Sequence, residues 1–230
     1  MDNFYVDIFS TKGLEYGLVI VFLVSLVLFW RTLHKPAASR APGPMATATI
    51  PRVEWFALVN GLYYHQGHTW ARPEGEDLVC IGIDDFAQRL LGKPNAVRLP
   101  AVGTPLEQGE RGWKFHFGSR VIDLLTPVGG TVVAVNEELL SSPGLINDDP
   151  YGKGWILKVQ TPRLLVNLRN LLRGHLASSW MEETVSLLRK RMTPEGVPVL
   201  QDGGVPLEGF ARNISPDHWD ELAREFLLTS

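Results

Sequence analysis

Between positions 16 and 30 the chain reads YGLVIVFLVSLVLFW, an uncharged run that only Ser25 interrupts. An amphipathic surface helix would show a polar face at three- and four-residue spacing, and this run shows none. Leu14, Leu33 and the aliphatic stems of Arg31 and Lys35 extend it toward the ~20 residues that a bilayer core requires. Tyr16, Phe22, Phe29 and Trp30 are the expected anchor residues, with Tyr16, Phe29 and Trp30 in the interfacial belts. Asp2, Asp7 and Glu15 precede the run, where a cleaved signal peptide would carry basic residues. Lys12 alone lies before it while Arg31, Lys35 and Arg40 follow, which puts the larger part of the chain on the cytoplasmic side of the inner membrane. Residues 1–35 therefore read as an N-terminal segment with a single transmembrane helix. The Pro-, Ala-, Gly- and Thr-rich residues 36–51 read as a flexible tether.

Beyond the tether the pattern changes. Over residues 52–161 short apolar runs alternate with Gly, Pro, Asn and Asp turns, which predicts a compact β-sandwich or flattened barrel. One segment departs from this, IDDFAQRLLGK, with Asp84 or Asp85 as N-cap, Phe86, Leu90 and Leu91 at helical spacing and Gly92 as stop. Residues 162–192 carry helical spacing twice. Leu164, Leu165, Leu168, Leu171 and Leu172 form one set, and after Gly174 Trp180, Val185, Leu187 and Leu188 form the second, both predicted to cover the β-domain. Residues 193–230 form a C-terminal arm ending in a helix, with Ser215 as N-cap, Pro216 at the first position and Trp219, Leu222, Ala223 and Phe226 on one face. That helix either docks on its own domain or serves as an interaction tail, for which Trp219, Phe226 and Leu227 are the partner-binding candidates.

Charge and chemistry narrow the function. The 230 residues carry 22 basic and 25 acidic side chains, which leaves no electrostatic footprint for nucleic acid. The one cysteine, Cys80, excludes an internal disulfide and a multi-thiolate metal site, and in its apolar strand it reads as a small buried hydrophobe. His65 and His68 form an HxxH pair with Asp84 and Asp85 downstream, donor types that zinc accepts. That spacing aligns two ligands only on a helix, and the segment reads as a strand entry, so a hydrogen-bonded structural histidine is expected. P-loop, dinucleotide, nucleophile-elbow and HExxH motifs are absent from the sequence.

Several blocks then match one family in order and spacing: His68-Thr69-Trp70, Ile81–Gly92, Val97–Glu110, Asp123–Leu139 and Ser142–Val159. Over about a hundred central residues the chain resembles the H protein of the glycine cleavage system. The resemblance implies a mainly β hammerhead or flattened barrel, lipoyl-domain-like, with peripheral α-helices. It also implies a lysine at a β-hairpin tip that carries lipoic acid as an amide and shuttles an aminomethyl group between enzymes. Gap-free counting puts that lysine position on Ser119, whose hydroxyl cannot form the amide, beside Arg120, whose guanidinium stays protonated. Lys114, five positions earlier, is the displaced candidate. The expectation is a non-catalytic, membrane-anchored structural or assembly subunit of a larger membrane protein complex, of a redox or energy-converting kind, without cofactor, metal or small-molecule substrate. Its partners are the lipid bilayer and other integral membrane proteins. The alternatives are a lipoyl or acyl carrier modified at a displaced lysine and a membrane-localised decoy of lipoate-dependent enzymes.

Overall fold

The computed structural model describes residues 8–33, 52–192 and 206–230. The chain divides into two compact units, Met1–Ala48 and Thr49–Ser230.

In the first unit, α1 (Ile8–Leu33) is a 26-residue helix. Its side chains are described from Tyr16 to Phe29 and are exposed throughout. The Ser25 hydroxyl donates to the Phe22 carbonyl at 2.7 Å, so its polar group is satisfied within the helix. The stretch with described side chains is about 20 Å long at 1.5 Å per residue, against a hydrocarbon core of about 30 Å. Among the described residues no helix is long and apolar enough to cross a membrane. The side chain of Trp30 and the tether 36–51 lie outside the described residues.

The second unit opens with a short hairpin, β1 (Arg52–Val53) and β2 (Phe56–Ala57). β3 (Tyr63–His65), β4 (Thr69–Pro73), β5 (Leu78–Ile83), α2 (Asp85–Leu91) and β6 (Ala96–Arg98) follow. Then come β7 (Pro105–Leu106), β8 (Arg111–Phe117), β9 (Arg120–Leu125), β10 (Gly130–Val135), α3 (Glu138–Ser141), α4 (Leu145–Asp148) and β11 (Leu157–Gln160). The chain continues with α5 (Leu164–Arg169), α6 (His175–Met192), α7 (Phe210–Ile214) and α8 (Trp219–Leu227). Six strands form one antiparallel sheet in the order β3-β4-β5-β11-β10-β7, and β6-β8-β9 form a second. The predicted β-rich architecture with helices at its margins is the one observed.

Burial along β8 shows why the strand forms: Trp113, Phe115 and Phe117 point into the core while Lys114 is exposed, the period-two pattern of a half-buried sheet. α2 starts where the sequence indicates, with the Asp84 carboxylate accepting from the Ala87 N–H at 2.8 Å, and it stops at Gly92, whose φ of +73° suits glycine. At the centre of the large sheet Trp70 pairs across the ladder with Gly82 and is fully buried. Its indole Nε1–H donates to Ile83 O at 2.8 Å and Pro150 O at 3.1 Å.

Three expectations need correction. The first helical set ends at Arg169, because Leu172 and Tyr64 exchange two backbone hydrogen bonds of 2.8 Å and draw the chain onto the edge of β3. In α6 the buried stripe is Ala177, Met181, Thr184, Val185 and Leu188, while Leu187 is exposed. Ser215 caps no helix start: it closes α7, a helix the periodicity did not indicate, and α8 begins only at Trp219.

An added Cβ at Gly82 would overlap the Trp70 indole. Gly82→Ala is expected to destabilise the unit by about 1–3 kcal/mol, as overpacking does. A urea transition with an unchanged midpoint would show that the indole does not rest on this glycine.

Candidate functional site

β8 and β9 pair as far as Phe117 opposite Arg120, which leaves Gly118 and Ser119 as a two-residue tip. Gly118 has a φ of +62°, the sign that a type II′ hairpin turn requires at its first central residue. Its N–H donates to Asn95 Oδ1 at 2.6 Å, and the Asn95 N–H donates to His116 O at 2.7 Å. The chain leading into β6 thus pins the tip from one side. Ser119 sits on it, exposed.

The C-terminal arm clasps the hairpin from the other side. The Gly209 N–H donates to Arg89 O at 2.7 Å and the Arg212 guanidinium to Leu91 O at 2.8 Å, which ties α7 to the end of α2. The Arg212 guanidinium then lies over two rings, 4.3 Å from the Trp219 centroid and 5.3 Å from that of Phe117. Those rings meet edge to face at 5.5 Å. Beside Ser119, Arg120 is ion-paired with Asp220 and donates to Asp217 O at 3.1 Å. Arg224 takes the second Asp220 oxygen at 3.0 Å and reaches Val121 O at 3.2 Å. Further along, the Arg111 guanidinium donates to Thr229 O at 3.2 Å.

Burial and charge oppose each other at Asp220. Desolvation raises its carboxyl pKa, but the Arg120 hydrogen bond, the backbone and the charges of Arg120 and Arg224 outweigh it and hold the group below its ordinary value. The apolar contribution is larger. Trp219, Leu222, Ala223 and Leu227 are all buried, and each large side chain contributes about 1.5–3 kcal/mol on full burial. Apolar burial holds the arm down, and the arginine–aspartate pairing sets where on the hairpin it lies.

The sequence candidates separate in space. Trp219 and Leu227 are buried against their own domain, so they offer no surface to a partner. Phe226 is half-buried, with its ring centroid 5.3 Å from that of Phe86, and it lines a groove with His68, Trp180 and Leu187. Lys114 is in mid-strand opposite Asp123, its Nζ 3.2 Å from Asp123 Oδ1, so it occupies a strand face and not a tip. His65 Nδ1 accepts from the Gly67 N–H at 3.0 Å, and buried His68 pairs through Nδ1 with Asp84 at 2.8 Å, stacked on Phe86. Both Nδ1 atoms are thus engaged by protein groups. Among the described residues no group of three or more His, Cys, Asp and Glu is placed to hold a metal ion. Burial pushes the Cys80 thiol up to about 11 despite the neighbouring Arg72, which leaves it protonated at neutral pH and a poor nucleophile. The sequence reading missed Asp220, Asp217, Arg212 and Asn95. Nothing local marks them, since Arg120 and Asp220 are a hundred positions apart.

The model of the glycine cleavage H-protein family matches residues 62–184. The chain is 50% identical over 99 residues to the glycine cleavage system H protein of Mycobacterium avium (strain 104), which covers 43% of this chain and 75% of that protein. It is 47% identical over 102 residues to the H protein of Mycobacterium leprae (strain TN), covering 44% and 77%. A crystal structure of an H protein from Mycobacterium marinum aligns with a TM-score of 0.48 at 29% identity, covering 56% of this chain and 99% of that one.

Arg120→Ala removes the charge-assisted contacts to Asp220 and leaves Arg224 as its remaining basic partner. A loss of about 1–2 kcal/mol is expected, with amide exchange accelerated in α8 and not in β4 or β5. Uniform acceleration would mean that the arm is not a separate docking element. Because the folded pKa of Asp220 is lowered, its contribution is complete above the ordinary value of 3.8 and is lost as pH falls through the folded value below it. Proteolysis of the arm should therefore rise only below about pH 4, a rise that Asp220→Asn should abolish.

Proposed function

Because the chain belongs to the glycine cleavage H-protein family, we propose that it keeps the family's fold and has exchanged the carrier role for a docking one. In this reading it is a non-catalytic, membrane-anchored subunit that assembles with other integral membrane proteins. The observation that carries the proposal is the hairpin tip: Ser119 stands where the family resemblance puts the lipoyl lysine, and its neighbour Arg120 is held by Asp220 and Asp217 of the arm. A carrier must release its arm from its own domain to visit successive enzymes. Here the flank of the tip is taken up by a segment of the same chain, and no amine is available on the tip for an amide.

The displaced site at Lys114 gains nothing from its surroundings, because that amine faces Asp123 across the hairpin. The anchor reading is supported by the exposed apolar side chains from Leu18 to Phe29. An exposed face of that kind needs a lipid or protein environment. A domain held at a bilayer is concentrated near other membrane proteins, so modest contacts suffice for assembly. The cytoplasmic orientation follows from the basic residues after the apolar run.

The test is purification of the tagged full-length chain from its native membranes. The expected result is that it resists alkaline carbonate extraction and migrates in mild detergent with polytopic membrane proteins. Release by carbonate, in company with soluble lipoate-dependent enzymes, would overturn the reading in favour of a decoy.

A further inference from the structure

The charge of the chain is unevenly placed. Residues 150–181 contain Lys153, Lys158, Arg163, Arg169 and Arg173 and no aspartate or glutamate. With a formal net charge of −3 for the whole chain, this segment is at +5 and the remainder at −8. Lys158 is neutralised by Glu74 at 2.6 Å, whereas Arg163 and Arg169 are exposed and carry no ion pair among the described residues. Arg173 is exposed too, its guanidinium over the Tyr63 ring and bonded to that hydroxyl at 3.0 Å.

The same corner displays apolar side chains. Leu165, Val166 and Leu176 are 74%, 57% and 65% exposed, on α5 and on the first turn of α6. They are outward-facing because Leu164, Leu168 and Ala177 take the core positions of those turns. Acidic groups approach from two sides: Asp77, which takes the Thr161 N–H on its carbonyl at 2.6 Å and the Gln160 amide on its carboxylate at 2.8 Å, and Glu107 and Glu110, on the turn whose Gln108 bonds Asn167 and Asn170. Glu110 directs its carboxylate to the Glu107 N–H at 2.9 Å. Exposed leucine and valine interleaved with unneutralised arginine do not suit a soluble acidic partner alone, which would leave the apolar groups wet. They do suit an interface that offers both negative charge and hydrocarbon.

We propose that the α5–α6 corner is a docking surface for an anionic bilayer, with Arg163 and Arg169 on lipid phosphates and Leu165, Val166 and Leu176 in the headgroup–acyl boundary. The inference stands on the second unit by itself and goes beyond the anchor reading. It lays this corner of the second unit on the membrane.

The experiment uses the full-length Leu176→Cys chain, spin-labelled at that position, with vesicles of phosphatidylcholine alone or mixed with phosphatidylglycerol. Cys80 is buried, so the label goes to position 176. With phosphatidylglycerol the label should become several-fold less accessible to a water-soluble relaxant. That protection should vanish in phosphatidylcholine alone, at about 1 M salt where the Debye length falls to about 3 Å, and in Arg163→Glu/Arg169→Glu. A chain held on anionic vesicles with its label still open to water overturns the surface and leaves the anchor reading intact. Protection that carbonate treatment reverses along with release of the chain supports the surface and overturns the anchor. Absence of the chain from anionic vesicles overturns both.

Discussion

The meeting of Arg120 with Asp220, above the edge-to-face contact of Phe117 and Trp219, is the constraint on which the reading of this molecule depends. It joins the β8–β9 hairpin to a segment a hundred residues later. Neither half of the contact is sufficient. Aromatic and leucine burial supplies most of the attraction but little directionality, while a half-exposed arginine pair supplies direction and modest energy. Together they fix α8 along β9, and α7 follows because Gly209 and Arg212 are bonded to the end of α2. The hairpin is thereby built into the body of the domain.

Much of this fold was legible in the sequence, for identifiable reasons. Asp84 and Gly92 bracket α2 with local chemistry that works whatever surrounds it, and the alternation of Trp113, Phe115 and Phe117 specifies a half-buried strand. What escaped depends on long-range contacts. Leu172 continues a helical pattern yet lies on the edge of β3, since the free backbone groups of Tyr64 outcompete one more helical turn. Ser215-Pro216 has the chemistry of a helix start, but α7 has used the preceding residues and the chain must turn before Trp219 can reach Phe117. Of the site, the hairpin tip was legible and its clasp was not: a lone arginine beside Ser119 does not reveal which of 25 acidic residues will meet it.

A fold whose relatives are named H proteins of the glycine cleavage system is here extended by an arm that closes over the hairpin and by an apolar helix before it. The two additions agree in what they favour. On the proposed function, the arm takes up the freedom that a swinging carrier needs and the helix favours confinement at a surface, which makes binding the proposed role of the domain. The lowered pKa of Asp220 keeps its pairing with Arg120 intact across the physiological range.

The most direct test of that account is the intact mass of the full-length chain isolated from its native host. The account predicts the mass of the unmodified polypeptide, with no acyl group on any lysine. A mass excess matching a lipoyl amide, mapped to Lys114 or any other lysine, would contradict it and return the molecule to the carriers.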